Sequence, residues 1–525
     1  MSDMPSANKR IRKSFGKIKE IIEENKLNRI VVASCTPRTH ESLFQKTIRE
    51  AGLNKYLFEM ANIRDQCSWV HMNKKEEATD KAKNLVRMAI AAAAFVKPLQ
   101  EEQLPVNKRA LVIGGGASGM TATLGLADQG FEVILVEKEK ELGGNFRQLH
   151  YTLRDGDMQK HMNALIERVT NHPSVRVITD GVLVDFTGFK GNFKTGIMAG
   201  PGMAYRQIEH GVVIIATGGE EYKPEEYLYG QDKRVMTQQE LEGSIAQGDI
   251  NPGNTGDVVM IQCVGSRIEE RPYCSRLCCS AAIKNALKIK EANPRTNVYI
   301  LYRDIRTYGL LEEYYTRARR AGIIFIRYDL ESKPEVTLEK GALQITVNDP
   351  ALGDTVTLNP QLLVLSSAIV PRENEELASL MKLQRTQEGF FLEAHMKLRP
   401  VDLATEGMYL CGLAHSPKPL DESLSQAAAA VSRACTLLSH DTVSVGGMVA
   451  AVEGEKCAVC LTCVRVCPYD VPFINEEGVA QIDAAKCQGC GSCAAECPGK
   501  AIQLQHCEDE EIIAKASALF NVEAV

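Results

Sequence analysis

Two segments of this 525-residue chain repeat one cysteine spacing thirty residues apart, CAVCLTCVRVCP from 457 and CQGCGSCAAECP from 487. Each reads C-x2-C-x2-C-x3-C-P. Three thiolates with two residues between them wrap one corner of a four-iron cube, and the fourth, before proline, reaches the neighbouring cube. The spacing predicts two 4Fe-4S clusters with crossed ligation. Cys457, Cys460, Cys463 and Cys497 hold one, and Cys487, Cys490, Cys493 and Cys467 hold the other. Paired zinc knuckles are the competing reading, but zinc sites usually lack the third cysteine of each run and the trailing Cys-Pro.

That α+β module occupies a small part of the chain, whose length suggests three to four domains at roughly 150 residues each. The 17 cysteines do not suggest a disulfide scaffold. The first residues, MSDMPSANKR, lack the apolar core of a signal peptide, so the expected compartment is the cytoplasm, where thiols stay reduced. A net charge of −6 gives no basic excess for nucleic acid. The most apolar run, Met88 to Val96, is nine residues long, against the ~20 a membrane span needs.

A second landmark is LVIGGGASGM at 111–120, an apolar strand running into Gly114, Gly116 and Gly119 and then a helical pattern. Such glycines permit a tight turn, let the backbone approach a pyrophosphate at the helix N-terminus, and allow close strand-helix packing. A second strand, EVILVEK, ends at Glu137, twenty-three residues after Gly114, where a carboxylate can accept hydrogen bonds from a ribose. Lys138 and then LGGN, with Gly143, Gly144 and Asn145, follow directly. GVVIIATGG at 211–219 offers Thr217 and Gly218, and MYLCGLA at 408–414 offers Gly412 before a helical run containing Gln426 and Ala427. These segments resemble the two-dinucleotide flavoprotein family that includes thioredoxin reductase, which implies that they enclose FAD. The family usually has Asp after the last strand's glycine; here Leu413 follows Gly412, so ribityl binding must use another group. A Rossmann domain for NAD alone is the alternative.

The same resemblance implies a second Rossmann-like domain for a nicotinamide nucleotide. Its first strand, DVVMIQ at 257–262, opens not into glycines but into CVGSRIEERPYCSRLCC. Cys263, Cys274, Cys278 and Cys279 favour a third iron-sulfur cluster over buried cysteines or a redox disulfide. Strands at 298–304 and 362–367 suggest that the domain fold survives. Cys411, Cys435 and Cys507 occur singly and read as bystanders.

RIVVASCTPRTHESLF at 29–44, GLNKYLFEMANIRDQCSWVH at 52–71, EEATDKAKNLVRMA at 76–89, GGGASGM, RPYCSRLCC and the cysteine repeat together resemble the A-type iron-sulfur subunit of heterodisulfide reductase over nearly the whole chain. The resemblance implies an iron-sulfur flavoprotein oxidoreductase, implicated in flavin-based electron bifurcation. Its implied partners are B- and C-type subunits, a hydrogenase- or formate-dehydrogenase-type donor, a second A-type chain, and ferredoxin. Relatives usually begin with a longer cluster domain and carry an inserted ferredoxin module, both missing here. Cys35 and Cys67 match positions that contribute to the family's N-terminal cluster, yet two thiols cannot complete it. A partner supplies the rest, or both are buried spectators, or the true N-terminus lies upstream. Trp69 reads as core packing.

By the same resemblance Lys284, on the helix after the Cys278–Cys279 pair, approaches flavin N5, where a cation stabilises the reduced anion. A solvated helix lysine is the plain alternative. His415 and Lys418, in the loop at 414–423, are weaker flavin-edge candidates.

The expected fold class is α/β: a thioredoxin-reductase-like two-dinucleotide fold with an N-terminal α/β domain and a C-terminal α+β two-cluster domain. Expected boundaries are 1–103, 104–255 for the first FAD part, 256–364 for the inserted domain, 365–445 for the second FAD part, 446–505 for the clusters, and a tail at 506–525. The leading expectation is an electron-transfer subunit of a heterodisulfide-reductase-like complex. The alternatives are a self-contained NAD(P)H oxidoreductase and a scaffold whose clusters merely wire partners together.

Overall fold

A computed structural model describes residues 7–520 apart from 155, without the side chains of 7–14, 38 and 39. Residues 1–6 and 521–525, at the ends of the expected first domain and tail, lie outside the described residues. The chain divides into two compact units, Pro105–Asp441 and the terminal segments Met1–Leu104 with Thr442–Val525.

In the first of these units, ALVI at Ala110–Ile113, VILV at Val133–Val136 and VVII at Val212–Ile215 are buried at every position. Continuous apolar strands of this kind belong in a parallel sheet covered on both faces. They form one, in the order Met408–Leu410, Val212–Ile215, Ala110–Ile113, Val133–Val136, Val175–Ile178. An antiparallel excursion, Gly181–Phe189, Asn192–Ala199 and Ala204–His210, accompanies it.

A second parallel sheet has the order Val235–Thr237, Leu362–Ser367, Val258–Val264, Val298–Tyr302, Ile324–Arg327. Its alternating side chains serve two cores. Val258 and Met260 pack with Leu241, Ile283 and Ala286 of the helices, while Val259 and Ile261 pack with Leu343 and Ile345 of an antiparallel excursion. The two crossings between sheets, Gly219–Glu221 and Ile369–Pro371, pair antiparallel. The second domain is thus inserted between those crossings rather than from 256 to 364. Val235–Thr237 pairs with Leu362–Ser367, so 235–247 belong to the inserted domain. A three-residue strand is too short to show a period; its partner signal is the capping box of Thr237 and Glu240 that starts Gln238–Gln247.

His210 ends the antiparallel excursion as a fully buried side chain, with Nε2 2.8 Å from Thr195 Oγ1 and Nδ1 3.0 Å from the Val212 carbonyl. Burial holds its pKa down to about 4. The unfolded chain therefore takes up a proton first as pH falls. About 3 kcal/mol of stability should be present above roughly pH 6.5 and lost progressively toward pH 4. His210→Gln should flatten that part of a urea-midpoint-against-pH curve.

In the terminal-segment unit, Ile30–Ser34 runs parallel to Phe58–Asn62. Ile22, Ile48 and Phe58 form the core between them and the helices Ala7–Glu24 and Pro37–Glu50. The expected second FAD part ends early, because Thr442–Gly446 pairs with Glu101–Pro105. The cluster module is two small antiparallel pairs, Ala450–Val452 with Ile502–Leu504 and Pro472–Ile474 with Ala480–Ile482. The tail helix Asp509–Phe520 lies along Lys75–Ala93 rather than on the cluster module. Lys515 reaches Glu59 at 2.8 Å, and Arg87 donates to the Ala518 carbonyl at 3.4 Å. Among the described residues no helix is long and apolar enough to cross a membrane.

Candidate functional site

The glycine turn after Ala110–Ile113 is shaped by contacts that forbid side chains. A Cβ on Gly114 (φ +105°) would stand 2.3 Å from the Ala216 carbonyl oxygen, and one on Gly119 1.8 Å from that of Gly114. Gly116 is different, since a Cβ there would meet nothing nearer than the Gly143 oxygen at 3.9 Å. It is an open floor at the start of Ala117–Ala127, a helix with no side-chain cap, whose first N–H groups suit an anion. Gly143 donates to the Gly115 carbonyl at 2.9 Å and bridges to Gly116, with Gly144 (φ +50°) beside it.

Glu137 is buried and accepts from the backbone N–H groups of Gly115 at 2.5 Å and Glu139 at 2.9 Å. A carboxylate has about four lone-pair sites, so acceptor capacity remains for ribose hydroxyls. Asn145 Nδ2 ties the LGGN turn to the Gly219 carbonyl at 2.7 Å. Next to it stand Gly218 (φ +83°) and Thr217, whose buried hydroxyl has no hydrogen-bond partner among the described residues. Gly412 packs on Ser118, where a Cβ would come within 2.6 Å of its hydroxyl, and donates to Gln426 Oε1 at 3.0 Å. Ala427 is fully buried, while the Lys138 side chain is exposed. An open glycine floor, an uncapped helix start and an orphaned hydroxyl fit a dinucleotide such as FAD.

The closing loop is braced from within. His415 Nε2 lies 2.6 Å from Glu393 Oε2, so the hydrogen-bond pattern puts the neutral ring's proton on Nε2 and leaves Nδ1 to accept from Gln426 (3.0 Å) and Lys418 (3.3 Å). Lys418 also donates to the carbonyls of Gly412 (2.8 Å) and Ser416 (2.9 Å). Burial, and then the charge of Arg276, lower its pKa to about 8. Its donors are spent on the chain, so it serves the loop's shape.

The four cysteines of the inserted domain gather at one sheet end. Cys263, the last residue but one of Val258–Val264, has φ +62°, and Cys278 and Cys279 open the helix Cys278–Ala292. Burial, and then charge on Cys279, Cys263 and Cys274, push the Cys278 thiol well above its usual range; burial also lifts Cys279 to about 11. Thiolates held this close together would need a cation among them. Where a nucleotide-binding turn would stand, Gly265 (φ +70°) packs against the Tyr222 ring, and the Arg271 guanidinium lies 4.3 Å over that ring. Arg276, between Cys274 and Cys278, donates its N–H to the Cys274 sulfur at 3.3 Å and its guanidinium to both Glu422 oxygens at 2.7 and 2.8 Å. Glu422 lies on the closing helix Leu420–Leu438, so the cysteine loop is fastened to the flavin-side helix.

Lys284 does not stand alone. Its ammonium is 2.5 Å from Glu242 Oε2 and 2.8 Å from the Tyr151 carbonyl, and burial lowers its pKa. Tyr151 follows closely on the LGGN turn. The position offers a buried ion pair rather than a lone cation, and the partner, forty-two residues earlier, carries no sequence signal.

In the cluster module the eight cysteines of the repeat line two hollows. One is lined by Cys457, Cys460, Cys463 and Cys497; another is lined by Cys467, Cys487, Cys490 and Cys493. Their walls are otherwise largely apolar, including Ile474, Ile502, Val471 and Ile482, and fit cubic clusters. The repeat extends to the backbone: Val459 and Leu461 take the same left-handed φ as Gly489 and Gly491. Cys35 and Cys67 have different hydrogen-bond partners. Arg64 donates to the Cys35 sulfur at 3.2 Å, while the buried Cys67 thiol donates to the Ala78 carbonyl at 2.7 Å. Trp69 is 55% exposed beneath Arg64, which corrects its expected place in the core.

A dinucleotide cradle, an inserted domain with cysteines in place of its nucleotide turn, and two cysteine-lined hollows define an iron-sulfur flavoprotein oxidoreductase. Residues 112–176 match the NAD(P)-binding Rossmann-like domain family, and 450–498 match the 4Fe-4S dicluster domain family. The second A-type iron-sulfur subunit of the CoB--CoM heterodisulfide reductase of Methanopyrus kandleri is 37% identical, covering 88% of this chain and 84% of that protein. The A-type subunit of the H(2):CoB-CoM heterodisulfide,ferredoxin reductase of Methanothermobacter thermautotrophicus is 36% identical, covering 97% and 90%. Among solved structures, Lactococcus lactis thioredoxin reductase is similar at 16% identity and a TM-score of 0.44, over 63% of this chain and 99% of that one. The chain belongs to the family of A-type heterodisulfide reductase subunits and uses FAD and 4Fe-4S clusters. The second alignment spans 601 positions against 525 residues here, so that relative carries at least 76 positions with no counterpart in this chain.

Proposed function

We propose that this chain is the member of a heterodisulfide-reductase-like complex that splits or relays electrons between a two-electron donor, FAD and 4Fe-4S clusters, with ferredoxin among its partners. The observation that carries the reading is the replacement of a nucleotide turn by Cys263, Cys274, Cys278 and Cys279, with Tyr222 and Arg271 stacked beside them. FAD, when bound, exchanges electrons in pairs or singly, and clusters exchange them one at a time. Cys263, Cys274, Cys278 and Cys279 hold the first one-electron port, and Arg276 keeps that loop on the closing helix through Glu422. The eight cysteines of the repeat hold the other two clusters. Lys284 and Glu242 together bias the charge next to the LGGN segment. Cys35 and Cys67 are completed by a partner, in a complex with B- and C-type subunits and a hydrogenase- or formate-dehydrogenase-type donor.

The same stacked Tyr222 and Arg271 count against a self-contained NAD(P)H enzyme. Under anaerobic conditions, excess NADPH is expected to leave the flavin absorbance unchanged, while a reduced low-potential ferredoxin bleaches it. Rapid bleaching by NADPH would refute the relay reading in favour of a nicotinamide-dependent enzyme.

A further inference from the structure

The strand Ile369–Pro371 returns the chain from the inserted domain, with Pro371 opposite Gly219. Arg372 is the next residue, on the side where Thr217 and Gly218 precede the facing strand. A Cβ built on Gly218 would stand 4.0 Å from Arg372 Nε. That Nε is shielded from water and lacks a hydrogen-bond partner among the described residues, as does Thr217 Oγ1. Buried polar atoms left unpaired are rare in native proteins and usually mark an absent ligand or water. Thr217 borders the glycine turn, because a Cβ on Gly114 would meet the Ala216 carbonyl at 2.3 Å and Thr217 Cα at 3.1 Å, and Arg372 joins it through Gly218. Leu413, whose Cβ lies 3.4 Å from the Cβ position of Gly219, offers no polar side chain, so the cofactor's oxygens need donors from elsewhere on the rim.

We propose that Arg372 and Thr217 are a donor pair for FAD, directed at its oxygen-rich centre, the pyrophosphate and ribityl chain. A guanidinium is donor-only and permanently charged, and its planar fork suits phosphate oxygens better than an ammonium does. The threonine hydroxyl can donate to one oxygen or accept from a ribityl hydroxyl. The inference rests on FAD as the ligand of this cradle.

The test uses the full chain, stripped of FAD and retitrated by flavin fluorescence, with iron content and an apoprotein melting curve as controls. Arg372→Met is expected to raise the Kd for FAD about ten- to a hundredfold, the range for losing a hydrogen bond to a charged group. Arg372→Lys should recover part of the affinity, and Thr217→Val should lose about tenfold, with iron content and melting unchanged. An unchanged Kd in Arg372→Met overturns the proposal. If that variant melts abnormally, unchanged affinity in both Arg372→Lys and Thr217→Val does so instead. Failure of the unmodified apoprotein to take up FAD would strike the flavin reading itself and is seen separately.

Discussion

Replacing Glu242 with alanine is expected to destabilise the Pro105–Asp441 unit by about 3–5 kcal/mol, read as a lowered urea midpoint of the apoprotein. The side chains of Lys284 and Glu242 are only 8% and 4% exposed, with nitrogen and oxygen 2.5 Å apart. Glu242 Oε1 also accepts from the backbone N–H groups of His150 at 2.6 Å and Tyr151 at 3.2 Å. Alanine would strand a buried ammonium and two backbone donors together. Lys284 keeps the Tyr151 carbonyl and the face of its ring, 5.0 Å away, but neither is a counter-charge.

Burial already draws the Lys284 pKa down, and without Glu242 the amine can lose its proton, which limits the loss. Replacing both partners, Glu242→Leu with Lys284→Met, should recover the part of the loss that comes from the stranded ammonium, while the His150 and Tyr151 N–H groups stay unpaired. A loss below about 1 kcal/mol in Glu242→Ala would mean that the pair is solvated, as surface ion pairs are. Since Glu242 and Lys284 anchor the segment after Gly143, Gly144 and Asn145, FAD affinity should fall in Glu242→Ala and stay lowered in the double variant, which lacks the same bonds to His150 and Tyr151.

The parts legible in the sequence are those whose chemistry fixes a spacing. Four cysteines at fixed intervals, followed by proline, marked out the two groups of four that line separate hollows. Gly114, Gly116 and Gly119 likewise follow from a backbone that tolerates no Cβ at two of them and leaves the third open. Parallel strands such as VVII were legible because burial on both faces writes a continuous apolar run. Residues that act through distant partners were not. Val235–Thr237 gains its identity from Leu362–Ser367, more than a hundred residues on. Glu242 looks like any helix glutamate until the fold sets Lys284 against it. Trp69 follows the core cysteine Cys67 by two residues, yet it turns outward under Arg64. Arg372 belongs to no motif and is marked only by an unpaired buried nitrogen.

The cluster proposed for the inserted domain would separate this chain from a nicotinamide-dependent flavoprotein, and counting irons decides whether it exists. Anaerobically purified protein should hold one FAD and about twelve irons per chain, from three four-iron clusters. Cys278→Ala should bring the count to about eight while leaving FAD and the ferredoxin-type signals in place. A wild-type count near eight, unchanged in Cys278→Ala, would show that Cys263, Cys274, Cys278 and Cys279 hold no cluster, and the proposed electron port would have to be abandoned.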